Sequence, residues 1–115
     1  HHQVIILDSI SVIAANSQAS AMLSFFSRCR RICGSGRTLI LTIHQNIFED
    51  KLLTQLRALC DAHFSLSVQN VGNKLVKVLE VRKVHSAELV TDNVFKFDVA
   101  PDIGMRVNTT TKITV

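Results

Sequence analysis

Residues 4–7 read Val-Ile-Ile-Leu, and Asp8, Ser9, Ile10 and Ser11 follow at once. Consecutive large apolar residues leave a strand no polar face. They suit a strand covered on both sides, as in a parallel sheet flanked by helices. Asp8 then stands where that strand emerges at its carboxyl end, the place where open α/β sheets gather ligands. In phosphate-handling sites an aspartate so placed serves a Mg²⁺ ion, directly or through water, because hard cations prefer oxygen ligands. This is the pattern of a Walker B strand. The same residues also suit an ordinary buried strand whose Asp8 caps the following turn or helix.

The chain has 115 residues, 47% of them hydrophobic, enough for one modest domain with a core. No apolar run approaches the roughly 18 residues of a membrane span. The first residues carry neither the basic stretch nor the longer apolar segment of a secretory signal. A net charge of +4 fits nucleotide phosphates, nucleic acid or an acidic partner. With six Phe and no Tyr or Trp, a base-stacking surface for single strands is disfavoured. Three cysteines, an odd count without framework spacing, point to a reducing, cytoplasmic setting.

Along the chain, Met22, Phe25, Phe26, Cys29 and Cys33 recur on one face of a helix over residues 17–33, with Ser24, Arg28 and Arg31 opposite. Cys29 and Cys33 have metal-ligand spacing, but no second pair follows, and core packing is expected. Gly34-Ser35-Gly36 follows a helix and precedes a strand. That is the reverse of a phosphate loop, so Gly34 is expected as a C-cap. Residues 38–43 form a second buried strand ending in His44-Gln45. Polar side chains there can sense a terminal phosphate or simply cap a loop.

A helix over residues 48–60 turns Leu52, Leu56, Leu59 and Cys60 inward, and residues 62–68 make a third strand with His63 as a structural histidine. Residues 75–84 mix apolar and charged side chains as a half-exposed strand does. Even spacing predicts that Lys77 and Lys83 share a face. A turn at 70–73 uses Gly72, residues 93–99 alternate, and 101–104 turn into a short strand at 105–107. Residues 109–115 are expected frayed or as an edge strand. Neither repeat nor linker interrupts the chain, which predicts a single α/β domain with a mixed sheet, parallel strands first and an antiparallel meander after.

This order of parts resembles the distal half of a RecA/KaiC-like P-loop NTPase core. Within that group it is similar to KaiC-like proteins of the archaeal flagellum (archaellum) motor. The residues that carry the likeness are 4–11, the run Gln55-Leu56-Arg57-Ala58-Leu59-Cys60-Asp61-Ala62-His63, and residues 97–107. The resemblance implies ATP and Mg²⁺ as ligands of the intact protein, with Asp8 serving the metal and Ser9 supporting it. It implies that His44 and Gln45 read the phosphate, and that Lys83 and His85 face a neighbouring subunit's nucleotide in a homo-oligomeric ring. The implied partners are the archaellum motor ATPase and its membrane platform protein, at the cytoplasmic face of the cell membrane. Nucleic acid is not among them, although a RecA-like DNA-binding ATPase and a nucleotide-free structural subunit are the alternatives. Residues 1–115 contain neither a Walker A loop nor the family's catalytic glutamate, so they are not expected to bind and hydrolyse ATP alone. Where the family carries Lys-x-Arg-Gly, this chain reads Lys83-Val84-His85-Ser86, and histidine is largely neutral near pH 7. Slow or absent hydrolysis follows from both departures.

Overall fold

A computed structural model describes residues 2–84 and 93–112, with side chains as far as Asn108. The chain clusters into two compact units, His1–Cys60 and Asp61–Val115. The first holds β1 (Gln3–Leu7), α1 (Ser11–Ala15), α2 (Ala19–Gly34), β2 (Arg37–Leu41) and α3 (Asp50–Leu59). β1 and β2 pair in parallel, from Gln3 opposite Arg37 to Leu7 opposite Leu41. Two parallel strands joined through helices make a βαβ unit.

The core of this unit is Ile10, Ala14, Met22, Phe26 and Leu56, with Leu41, Ile43, Phe48 and Leu52 packed around it. Met22 and Phe26 lie one turn apart on α2, so the helical period places both inward while Arg28 and Arg31 stay exposed. Short α1 was not legible from periodicity. It contributes Ala14, one turn beyond Ile10, and leaves Val12 and Ile13 in solvent.

Two expectations are corrected here. The strand at residues 4–7 is not covered on both sides: Val4 is 54% exposed and Ile6 62%. Paired residues of a parallel ladder share a face, so Val4, Ile6 and the exposed Ile40 form one bare apolar strip. Only the opposite face, through Leu41, meets the core. A parallel pair needs layers on both faces, and this unit supplies one. Gly34 is also not the left-handed residue after α2. It stays helical, Ser35 is the C-cap, and Gly36 takes φ 92°.

The second unit is a meander of β3 (Ala62–Val71), β4 (Lys74–Val84), β5 (Val94–Ala100) and β6 (Gly104–Lys112), antiparallel and in that order. Gly72, at φ 63°, makes the tight β3–β4 turn, a conformation glycine adopts at no steric cost. Val78 and Phe97 are its buried residues among those described. Asn93 ties the start of β5 back to β4: its carbonyl accepts the Val81 amide at 2.8 Å. β2 pairs with β1 and β3 with β4, and the two ladders are separate sheets among the described residues.

The shared face predicted for Lys77 and Lys83 is wrong. Phe64 pairs with Val81, but His63 pairs with Lys83, so Arg82 is an extra residue on β4. An extra residue reverses the alternation beyond it. His63 and Phe64 point to opposite sides, and therefore so do their partners. Lys83 lies on the side of Glu80 and Arg82, which are ion-paired at 3.1 Å, and Lys77 lies on the other.

Candidate functional site

The carboxyl ends of β1 and β2 are knitted together beyond the strands themselves. The Thr42 amide donates to the Leu7 carbonyl at 3.1 Å, and the Ile10 amide donates to the Thr42 carbonyl at 3.0 Å. Thr42 is thereby held beside Asp8, and its hydroxyl donates to Asp8 Oδ1 at 2.6 Å. A hydroxyl bonded to a carboxylate at that distance is a strong, charge-assisted contact. It fixes the rotation of a carboxyl group that is itself exposed. The Asp8–Ser9 peptide is cis.

Next along the chain, Ser11 is buried and gathers three contacts on its hydroxyl oxygen. These are Ser9 Oγ at 2.9 Å, the His44 amide at 2.9 Å and His44 Nδ1 at 2.7 Å. The Ser11 amide in turn donates to Ser9 Oγ at 3.2 Å, a serine turn. Asn46 reverses the chain after Gln45 with φ 66°, which asparagine tolerates better than most residues.

Of the residues singled out from the sequence, Asp8, Ser9 and His44 therefore converge on one polar edge, and Gln45 follows His44 directly. Lys83 belongs to the second unit, half-buried opposite His63 on β4. His85 lies outside the described residues. Ser11 and Thr42, which join the candidates to one another, were not singled out. The signal was present in Asp-Ser-x-Ser, where two hydroxyls spaced by two residues favour a side-chain-supported turn.

The donor set fits a hard cation whose other ligands come from elsewhere. Asp8 offers one carboxylate and Ser9 one hydroxyl, all oxygen. Among the described residues no group of three His, Cys, Asp or Glu side chains could hold a metal by itself. Mg²⁺ commonly takes one or two carboxylates and completes its shell with water and substrate phosphates. The edge suits that arrangement and not a self-contained metal cage. All three cysteines are half-buried, and of them Cys60 packs against the core of the first unit; burial pushes the Cys29 thiol up, and its neighbours Cys33 and Cys60 add to the effect. A thiol so shifted is protonated at neutral pH and a poor nucleophile.

No established family profile matches the sequence. A search of solved structures finds a likeness to the flagellar accessory protein FlaH of Methanocaldococcus jannaschii, at TM-score 0.66 and 22% identity, covering 92% of this chain and 47% of that one. A KaiC-like protein of Pyrococcus horikoshii OT3 gives TM-score 0.66 at 15% identity, over 92% and 49%. The fold is KaiC-like. By sequence, the chain is also similar to the archaeal flagellar ATP-binding protein FlaH of Sulfolobus acidocaldarius, 30% identical over 103 residues. That match takes in 90% of this chain and 45% of its relative. The chain thus spans about half the length of the FlaH and KaiC-like proteins it matches.

Proposed function

We propose that this chain is the distal part of an ATP-binding, KaiC-like accessory protein of the archaeal flagellum motor, one that uses nucleotide state to regulate motor assembly. The observation that supports it is the polar edge joined by Thr42–Asp8 and Ser11–His44, in a chain similar to an archaeal flagellar ATP-binding protein. Bound Mg²⁺ neutralises phosphate charge. In this reading Asp8 and Ser9 hold the Mg²⁺ ion of Mg·ATP, and His44 and Gln45 meet the terminal phosphate. Lys83 and His85 reach the nucleotide of the adjacent subunit in a homo-oligomeric ring. Partners are the motor ATPase and the membrane platform protein, on the cytoplasmic side.

The test is a titration of the intact protein with ATP in the presence and absence of Mg²⁺. Saturable, Mg²⁺-dependent binding is expected, little affected by moderate salt. Binding of DNA instead, falling steeply with salt as phosphate-backbone contacts do, would replace this reading by a DNA-binding one.

Lys83 gives a second prediction. Lys83→Ala should raise the protein concentration needed for ATP-dependent assembly by about tenfold, the scale of one charge-assisted contact. The monomer's own ATP affinity should hold. Lys77→Ala removes the same charge from the opposite face of β4 and should leave assembly unchanged. Sedimentation of both variants with and without Mg·ATP checks the pair, and equal behaviour of the two would remove Lys83 from the site.

A further inference from the structure

We infer that the Ser9–Ser11 hydroxyl pair locks His44 in one tautomer, with the proton on Nε2, so that His44 meets a ligand only as a hydrogen-bond donor. The inference rests on the phosphate-reading role proposed above for His44 and adds how that role is set. A serine hydroxyl has one proton and two lone pairs. At Ser11 Oγ the His44 backbone amide must donate, at 2.9 Å, and occupies one lone pair. Ser9 Oγ donates into the second, also at 2.9 Å. The remaining contact, to His44 Nδ1, has to carry the Ser11 proton outward.

The reverse arrangement would send protons from Nδ1 through Ser11 to Ser9. Ser9 Oγ would then accept both the Ser11 hydroxyl and the Ser11 amide, which already points at it from 3.2 Å, and the proton of the exposed Ser9 would turn out to solvent. The forward order, from Ser9 through Ser11 to Nδ1, gives every one of these protons an acceptor within the protein.

With Nδ1 accepting, a neutral His44 carries its proton on Nε2, the exposed end of the ring being a donor. Such a ring can hold an anionic phosphate oxygen and cannot take a proton from an attacking water. His44 is then a reader of the ligand and not a general base, in line with the slow or absent hydrolysis expected of this chain. Ser11 is buried, and its hydroxyl reaches the ring through Nδ1. It is a positioning residue acting through His44.

Nitrogen-15 NMR of histidine-labelled protein at about pH 8, where an ordinary imidazole is neutral, tests this without nucleotide. His44 is assigned by its loss in His44→Gln. A single tautomer with unprotonated Nδ1 is expected, together with a slowly exchanging Ser11 hydroxyl proton. Ser11→Ala should lose that proton and shift His44 toward the tautomer mixture of an unconstrained imidazole. Ser11→Thr, which keeps the hydroxyl, should restore the wild-type pattern. A protonated Nδ1 in the wild type overturns the inference, as does a Ser11→Ala spectrum that matches wild type. Failure of the intact protein to bind ATP would defeat the proposed function alone, because the tautomer measurement needs no ligand.

Discussion

Leu56→Ala should lower the unfolding free energy by about 2–5 kcal/mol, the range for removing a fully buried leucine and leaving a cavity. Leu56, on α3, is 1% exposed and sits among Ile10 of the turn after β1, Ala14 of α1, and Met22 and Phe26 of α2. Two contributions add. The lost methyl and methylene groups forfeit their transfer energy, and the neighbours cannot collapse fully into the space because three separate elements frame it. Leu75→Ala makes the comparison, since that leucine on β4 is 77% exposed and its truncation should stay within about 0.5 kcal/mol. Urea unfolding monitored by circular dichroism reads both variants. A Leu56 loss under about 1 kcal/mol would mean that this cluster is not the core of the first unit.

The same residues show what could be read before any coordinates. Periodicity found α2 and α3 and their inward faces, because a helix of several turns repeats its pattern often enough to be unambiguous. Alternation found β4, β5 and the turn at Gly72 for the same reason. The readings that failed depend on partners, which a local pattern does not contain. Val4 and Ile6 look like a strand buried on both faces, and whether a second layer covers them is decided by elements far along the chain. Arg82 looks like one more alternating residue. Its status as a bulge exists only relative to His63 and Phe64 on the neighbouring strand. The left-handed turn moved from Gly34 to Gly36 because helix ends fray over one or two residues and either glycine accommodates a positive φ.

The candidate site divides along the same line. Asp8 and His44 were visible as polar residues terminating apolar runs, a feature written in one dimension. Ser11 and Thr42 were not, because their roles are long-range: each bonds a residue more than thirty positions away, Ser11 to His44 and Thr42 to Asp8. The bare strip of Val4, Ile6 and Ile40 bears on this too. Exposed apolar surface of this kind is typical of a face that packs against something else. The chain spans about half the length of its FlaH and KaiC-like relatives, so experiments on ligand binding belong in the intact protein.

In that protein Asp8→Asn should weaken Mg·ATP binding by about 1–3 kcal/mol, the cost of losing a charge-assisted contact to a cation or its water shell. The substitution isolates charge from shape. Asparagine keeps a carbonyl oxygen where Oδ1 now accepts the Thr42 hydroxyl at 2.6 Å, so the bond between the ends of β1 and β2 survives. Stability without nucleotide should therefore stay within about 0.5 kcal/mol of wild type, as for other exposed positions. Affinity for ATP measured without Mg²⁺ should also be unchanged or slightly improved, because the carboxylate repels phosphate when no cation lies between them. Thr42→Val gives the complementary perturbation. It leaves the charge and frees the carboxylate to rotate, so Mg·ATP affinity should fall by less than in Asp8→Asn. Calorimetric titration of the two variants with and without Mg²⁺ separates these effects. Asp8→Asn with full Mg·ATP affinity would reduce Asp8 to a turn residue held by Thr42, and the metal-binding role would have to move elsewhere in the protein.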